Sequence, residues 1–189
     1  LLTDVTLEER LLGYVKSAWM LEKWTEEETL RDIETDLDVS PGDVHHRVDL
    51  MGWLLAAARQ VLLTDDVFSE DHLAEIDQLS TIIDVLRQRI RHGCKPDLLN
   101  LVNIKHIGRA RARELSKLSL RSPKDVLQMT RKQRSELLAL RGWGPLLLEK
   151  IFSEVEKVIR KQEGVSTSLS GNQIHDDDVP LQGELPSDD

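Results

Sequence analysis

The sequence predicts an all-α protein that consists of a helical domain, a compact helix-hairpin-helix domain and a disordered acidic tail. Three observations support this prediction. Helix-capping motifs recur along the chain, apolar residues follow the helical period, and no stretch alternates between apolar and polar residues as a strand does. With 189 residues, of which 40% are apolar and 31% charged, the composition is that of a soluble globular protein.

Helix starts in the first half of the chain are predicted from capping motifs. A hydroxyl residue stands three positions before a carboxylate at Thr6, Thr25 and Ser40, and a proline follows the last of these. At this spacing the side-chain oxygen accepts a hydrogen bond from a free amide of the first helical turn. A fourth helix is predicted after Ser69, with Gly93 closing it.

Shorter helices are predicted in the second half. Pro96, Ser122 and Thr130 each open one, and the last long helix is expected to run from about Pro145 to Gln162. Beyond that helix the chain is rich in Ser, Gly, Pro and Asp and poor in large apolar residues. Such a segment buries too little surface to offset its conformational entropy, which predicts a disordered tail.

Charge divides the chain into three parts. Residues 1–86 contain 6 Lys and Arg against 20 Asp and Glu, residues 87–162 contain 19 against 7, and residues 163–189 contain none against 7. A basic segment between acidic neighbours is typical of a polyanion-binding surface, because binding to phosphates releases counterions; an ordinary solvated surface is the alternative. We therefore expect domains at 1–92 and 93–162, followed by the tail.

Several classes of protein are excluded by the composition. No run approaches the roughly 18 apolar residues of a membrane span, and the N-terminus lacks a secretory pattern, so no membrane partner is expected. The single cysteine, Cys94, excludes an internal disulfide and a cysteine-based zinc site, which favours the cytoplasm. Because the chain begins at Leu1 without an initiator Met, we expect it to be part of something longer.

No catalytic or cofactor site is expected in these residues. The sequence has no GxxxxGK[ST] phosphate loop and no strand ending in paired acids for magnesium, so ATP hydrolysis is not expected here. The histidines do not show metal-ligand spacing. The carboxylates at Glu26 to Glu28 and at Asp32 to Asp38 are interpreted as a solvated helix face rather than as acid-base pairs.

The helix that begins near Pro41 carries the first candidate site. Its apolar residues fall within about 40° of one line at 100° per residue: Val44, Val48, Met51, Leu55, Ala58 and Leu62. Trp53 lies opposite that line, with His46 and Gln60 seven residues to either side. A row spaced about two turns apart suits base stacking along an extended DNA strand, whereas packing of Trp53 against another helix is the alternative.

The second candidate site is a hairpin, Ile104 to Gly108, that leads into a helix start. Free amides and the positive end of the helix dipole favour phosphate at such a start. Lys105 and Gly108 belong to this hairpin, and a basic ridge is expected to follow at Arg109, Arg113 and Lys117. Arg111 points elsewhere and is expected to serve a second phosphate.

A second hairpin at Leu140 to Gly144 resembles the first. Gly142 and Gly144 allow a tight turn close to a ligand or to a neighbouring helix, and Arg141 supplies one cation. No cationic ridge follows, so a structural role and a binding role are both open. Trp143 is expected to pack in the core.

These motifs carry a resemblance to a known family. The segment IKHIGRARAREL, preceded by RIRHG and LLNLV, resembles the helix-hairpin-helix domain at the C-terminus of the archaeal Hjm-type superfamily-two DNA helicases. VSPGDV, with Trp53 downstream, resembles the start of the family's ratchet helix. The resemblance spans roughly Thr6 to Lys161 and does not cover the tail.

The resemblance implies a parent enzyme and roles for individual residues. The parent would be an ATP-dependent 3′ to 5′ helicase acting on forked or branched DNA in replication-linked repair. ATP and magnesium would bind to the rest of the helicase chain, the motor domains that this region would contact. Family members place a Trp and an Arg of the ratchet helix against single-stranded DNA; Trp53 matches the Trp, whereas His46 occupies the Arg position and Arg47 would partly replace it.

For the terminal domain, the resemblance implies that a basic hairpin region grips the emerging single strand. This role maps onto Arg109, Arg111 and Arg113. His106 stands where these hairpins usually have Gly, which would reduce access to the hairpin amides.

Two functional hypotheses follow from the sequence. The first is a module of a helicase that binds single-stranded or forked DNA without sequence preference, through Trp53 and the basic hairpin. The second is a protein-interaction scaffold, in which the hairpins are structural and the acidic half and the tail bind basic partners.

Overall fold

The computed structural model describes residues 6–64 and 73–170, which form nine α-helices and no strand. The all-α prediction is confirmed. A single 3₁₀ turn, Pro96–Leu98, precedes the fifth helix. The helices are α1 (Leu7–Thr25), α2 (Leu30–Leu37), α3 (Pro41–Leu62), α4 (Leu73–His92), α5 (Leu99–Val102), α6 (Arg109–Lys117), α7 (Pro123–Leu127), α8 (Arg131–Ala139) and α9 (Pro145–Ser170).

Most predicted helix starts are confirmed by their capping geometry. Thr6, Ser40, Ser122 and Thr130 each accept a hydrogen bond from the amide three residues later, and a returning side chain completes a capping box in all four cases. These boxes place the starts of α1, α3, α7 and α8. The start predicted after Ser69 lies outside the described residues.

The start predicted at Thr25 is wrong. Thr25 is buried and is the last residue of α1, whereas α2 is capped by Thr29, which accepts a hydrogen bond from the amide of Asp32. The reason is tertiary packing, because α1 continues far enough to bring the Trp24 ring into the core. The chain then turns through Glu27, whose φ of 72° is left-handed.

The ends of α4 and α9 differ in how well the sequence predicts them. Gly93 closes α4 with a φ of 60°, and the amides of Gly93 and Cys94 both donate to the carbonyl of Arg89. Helix α9 continues past Gln162 to Ser170. The remainder of the predicted tail, residues 171–189, lies outside the described residues.

Two apolar cores adjoin at Gly93, close to the predicted domain boundary. The first holds Met20, Leu21, Trp24, Ile33, Leu37, Val44, Val48 and Ile90. The predicted apolar line of α3 is therefore buried only in its first half, since Ala58 is exposed and Leu62 is only partly covered. The second core is built from the helices after Gly93 and includes Cys94, Leu98, Leu101, Ile107, Leu115, Val126, Leu137, Trp143, Leu148, Ile151 and Val155.

Candidate nucleic-acid interface

The first hairpin turns tightly between α5 and α6. The amide of Ile107 donates to the carbonyl of Ile104 at 3.0 Å, and the Ile107 side chain is buried in the second core. His106 sits at the turn with a φ of 72°, in the region that favours Gly. Lys105 and Gly108 are exposed on either side of it.

The second hairpin repeats this geometry thirty-six residues later. The amide of Trp143 donates to the carbonyl of Leu140 at 3.3 Å, and Gly142, at the position equivalent to His106, has a φ of 88°. Trp143 is 8% exposed, and its Nε1 donates to Glu114 at 2.6 Å. The expectation that Trp143 packs in the core is confirmed.

Each hairpin delivers the chain into the start of a helix. Gly108 and Gly144 each accept the first intrahelical hydrogen bond, from Ala112 at 2.9 Å and from Leu148 at 3.0 Å. No side chain caps α6, so its first-turn amides remain available as donors. Together with the dipole of the helix, such amides can bind a phosphate oxygen.

Cationic side chains flank both turns. Lys105 and Arg141 occupy equivalent positions and are both exposed. Arg111 donates to the carbonyl of His106 at 2.9 Å, which holds its guanidinium against the first hairpin and leaves other N–H groups for a ligand. Lys117 is exposed in the last turn of α6, about 12 Å along the helix axis from Arg109. The structure thus brings Lys105, Gly108 and Arg111 together but not Lys117.

Arg109 does not project into solvent. Its guanidinium carbon lies 4.0 Å from the centre of the Trp24 ring, and the group donates to the carbonyl of Gly93 at 3.3 Å. Burial lowers the pKa of Arg109, and the nearby Glu27 partly offsets that effect. A half-buried cation stacked on an indole is a structural contact between the helices of the two cores.

Arg113 is likewise bound within the chain. It makes paired hydrogen bonds to the carboxylate of Glu27 and donates to Asp97 at 2.7 and 3.1 Å. Hydrogen bonds to these two acids raise the pKa of Arg113, so the group stays charged. The expected ridge of Arg109, Arg113 and Lys117 is therefore not a free cationic surface, because two of its members join α6 to the end of α1.

Trp24 is the centre of this junction, and sequence reasoning missed it. Its Nε1 donates to the carbonyl of Ile90 at 2.7 Å, its ring meets His45 edge-on at 5.9 Å, and Gly93 leaves the space that the ring occupies. Arg109 covers the other side of the ring. A signal was present in the sequence, since Trp24 precedes three consecutive acids in a chain whose second half is basic.

Those three acids are not a solvated helix face, and that interpretation is wrong. They form the turn after α1 and pair with cations: Glu26 with Arg89 and Lys95, both at 3.0 Å, Glu27 with Arg113, and Glu28 with Lys23 at 2.8 Å. The turn points at α4 and α6 because Trp24 is anchored there. Asp32 and Asp36 also have partners, the Thr29 hydroxyl and Lys23.

The exposed face of α3 is a separate surface. Trp53 is 66% exposed, and His46 and Gln60 are exposed on the same side of the helix. Trp53 is thus not sealed against another helix of the described chain. Arg47 is exposed too, and it lines a small cavity of about 300 Å³ beside α1.

No group of three or more His, Cys, Asp or Glu side chains in the described ranges is arranged to hold a metal ion. The strand, glycine-rich loop and lysine that cradle ATP phosphates in motor proteins do not fit these residues, which lack the motif and form helices instead. Among the described helices, none is long and apolar enough to cross a membrane.

Comparison with known proteins points to a single family. Residues 3–93 match the family described as archaeal helicase, domain 4. The chain is 27% identical over 153 residues to an ATP-dependent DNA helicase Hel308 of Pyrococcus horikoshii, covering 81% of this chain and 20% of that protein. It is similar to the proteins of the same name from Thermococcus kodakarensis, with 32% identity over 154 residues (80% of this chain, 13% of that protein), and Pyrobaculum calidifontis, with 31% over 157 residues (82% and 20%). The chain spans a fifth or less of the length of these relatives.

Proposed function

We propose that the chain, whose residues 3–93 match the archaeal helicase domain 4 family, is a DNA-handling module from the C-terminal region of an archaeal superfamily-two DNA helicase. It binds single-stranded DNA without sequence preference, by phosphate binding at the hairpins and base stacking on α3. It contains no motor of its own.

The repeated hairpin is the observation that carries this proposal. Two turns with the same backbone geometry each present a helix start and an exposed cation, Lys105 in one and Arg141 in the other. Phosphate contacts of this kind do not read bases, which is why the binding is not sequence-specific. Gly108, Gly142 and Gly144 keep backbone amides near the ligand, since none carries a side chain that would shield them.

Trp53 is the proposed stacking residue of α3. A large indole that remains 66% exposed beside His46 and Gln60 offers a flat face to any base. Arg109 and Arg113 are left out of the DNA-contacting set, because the junction uses them. Arg111 and Lys117 remain in it, the first at the hairpin and the second farther along α6.

The activity of a whole protein containing this chain is part of the proposal. We infer an ATP-dependent 3′ to 5′ helicase that acts on forked or branched DNA in replication-linked repair in the cytoplasm. The three relatives named above are ATP-dependent DNA helicases by name. ATP and magnesium would bind outside these residues.

The proposed contact surface for the rest of a longer helicase chain lies on α1. Its exposed apolar side chains cover one broad side of the helix: Leu7, Leu11, Leu12, Tyr14, Val15 and Trp19. Apolar patches of this extent mark contact surfaces. The Pyrococcus horikoshii relative is about four times as long as this chain, so the occupant proposed here is the remainder of the helicase. We also propose that the acidic tail binds a basic protein partner. Residues 171–189 of that tail lie outside the described part of the chain.

The test is binding of a fluorescently labelled 15-nucleotide oligo-dT, measured by anisotropy at several salt concentrations. Trp53→Ala is expected to weaken binding by about 1 to 3 kcal/mol, the range of one base stack. Lys105→Gln is expected to weaken binding and to lower the slope of log Kd against log salt by about 0.7, one phosphate contact.

Matched controls come from the same chain. Tyr14→Ala removes an aromatic ring that is 69% exposed on α1, and Lys132→Gln removes a cation that is 87% exposed on α8. Both are expected to bind like the wild type. If Trp53→Ala and Lys105→Gln behave like their controls, the DNA-handling function is refuted and the scaffold hypothesis takes its place.

A further inference from the structure

A broad depression lies where the two domains meet on the side of the first hairpin. It has a volume of about 600 Å³, is open to solvent, and is lined by the last turn of α4, the first hairpin and the start of α6. Its polar side chains are four cations or imidazoles from α4 and the hairpin, the amide of Asn103 and the guanidinium of Arg111 from α6; the first four are Arg91, His92, Lys105 and His106. A volume in this range accommodates a small ligand such as one nucleotide.

Arg91 has the properties of a ligand-binding arginine. Two other arginines of α4 are paired, Arg89 with Glu26 at 3.0 Å and Arg87 with Asp84 at 3.8 Å. Arg91 is exposed and forms no ion pair with any residue of 6–64 or 73–170. An unpaired guanidinium in a concave site can bind a phosphate with two parallel hydrogen bonds.

The ring of His92, which lines the same depression, has one nitrogen atom without a hydrogen-bond partner in the described chain. That atom is the buried Nε2. Burial and then the neighbouring Arg91 lower the pKa of His92, while a hydrogen bond with the side chain of Asn103 opposes that shift. An anion in the depression would offset the repulsion among the cations around it.

We propose that Arg91 and His92 complete a phosphate seat with the first hairpin, so that both domains hold one backbone phosphate of single-stranded DNA together. The inference rests on the proposed function and adds two residues to its binding surface. Lys105, Arg111 and the free amides at Gly108 supply the donors of the second domain. Arg91 and His92 supply those of the first.

In this arrangement, the contacts of α6 with Trp24 and Glu27 position the parts of the phosphate seat. Only one residue, Gly93, separates His92 from the start of the second core at Cys94. The stacking of Arg109 on Trp24 and the pairing of Arg113 with Glu27 hold α6 against the first domain. The seat is therefore assembled only while these contacts keep α4 and α6 together.

The decisive variant is Arg91→Gln, compared with Lys132→Gln, which removes the same charge from a residue outside the depression. Oligo-dT binding is measured by anisotropy over a range of salt, after matching urea midpoints confirm that each variant is folded. Arg91→Gln is expected to weaken binding three- to tenfold at low salt and to lower the salt slope by about 0.7, one phosphate contact. Lys132→Gln is expected to leave both quantities unchanged.

A conservative variant separates charge from geometry. Arg91→Lys keeps the cation but loses the paired donors, so it is expected to restore the salt slope and only part of the affinity. A salt slope for Arg91→Gln equal to that of the wild type would overturn the shared seat. If Lys105→Gln and Trp53→Ala still weaken binding in that case, the proposed DNA-handling function stands without the shared seat. If these two variants also bind like the wild type, both the shared seat and the proposed function are refuted.

Discussion

At the scale of single residues, the contact between Trp24 and Gly93 is the most demanding in the chain. Gly93 has a φ of 60°, and a side chain added there would overlap the Trp24 ring. Any other residue at position 93 would therefore be strained by the left-handed backbone and would also lack space beside the ring. The capping glycine at the end of α4 is therefore also a contact point of the Trp24 ring, which belongs to the first core.

Gly93→Ala is expected to lower the free energy of unfolding by at least about 2 kcal/mol, because the left-handed backbone alone costs 1 to 2 and the indole must also move. Gly13→Ala is the matched control, since it lies inside α1 with open space around it. It is expected to raise stability by about 0.5 to 1 kcal/mol. Urea unfolding measures both, and equal effects would contradict the steric account.

The carboxylates bound to Arg113 predict acid sensitivity. Burial acts to raise the pKa of Glu27, but hydrogen bonds from Arg113 and from the Lys95 amide outweigh it, so the pKa is lowered. Arg113 lowers the pKa of Asp97 directly. A carboxyl with a lowered pKa in the folded state stabilises the fold above its unfolded pKa, and this contribution is lost as the pH falls through the folded value.

The junction is therefore expected to weaken below about pH 4, near the ordinary pKa of Asp and Glu. Urea midpoints measured from pH 7 to pH 3 should fall more steeply for the wild type than for Arg113→Met, in which these acids have lost their cation. Parallel curves for the two proteins would show that Arg113 does not couple to their protonation. Far-UV circular dichroism at pH 7 verifies that the variant is folded.

At the scale of elements, the two hairpins share one backbone geometry but differ in the residue at the turn. His106 and Gly142 occupy equivalent left-handed positions, with φ values of 72° and 88°. The first hairpin therefore carries strain that the second avoids. The sequence shows His106 at a position where Gly is usual, and the structure shows that the backbone keeps the conformation that Gly would favour.

Replacing the turn residue is expected to have opposite effects on the free energy of unfolding in the two hairpins. His106→Gly should raise the free energy of unfolding by up to about 1 kcal/mol, because relief of strain exceeds the added chain entropy. Gly142→Ala should lower it by about 1 to 2 kcal/mol. Thermal unfolding of the two variants beside the wild type measures both, and a destabilised His106→Gly would mean that the imidazole makes a stabilising contact larger than the strain.

At the scale of the whole molecule, two cores are joined by a small set of contacts around one ring. Trp24 belongs to the first core, yet its ring contacts His45 of α3, Gly93 and Arg109 of α6. The α3 helix that carries Trp53 and the α6 helix that begins at the first hairpin are thereby held by the same side chain. The mutual position of the two proposed DNA contacts depends on it.

Trp24→Ala is expected to destabilise the first domain by about 3 to 5 kcal/mol, as for other buried large-to-small changes, and to separate the unfolding of the two cores. Scanning calorimetry should then show two transitions in place of one. Trp19→Ala is the matched control, because that indole is 51% exposed on the same helix. A single transition in Trp24→Ala would show that the cores are coupled by other contacts.

The sequence by itself determined the helical class, four of the helix starts, the two hairpins and the outward side of α3 at Trp53. These features depend on local chemistry: a hydroxyl three residues before an acid, a glycine at a turn, or a period of 3.6 residues. Local spacing predicts such features because the interacting atoms are only a few residues apart.

Only the tertiary structure decided which cations remain free for a ligand. Arg109, Arg111 and Arg113 alternate within five residues, yet two of them bind Trp24 and Glu27, more than eighty residues earlier in the chain, while the third stays at the hairpin. The same packing ends α1 at Thr25 and places Arg91 at the depression. Long-range pairing depends on how distant helices pack together, and the spacing of residues along one helix does not contain that information.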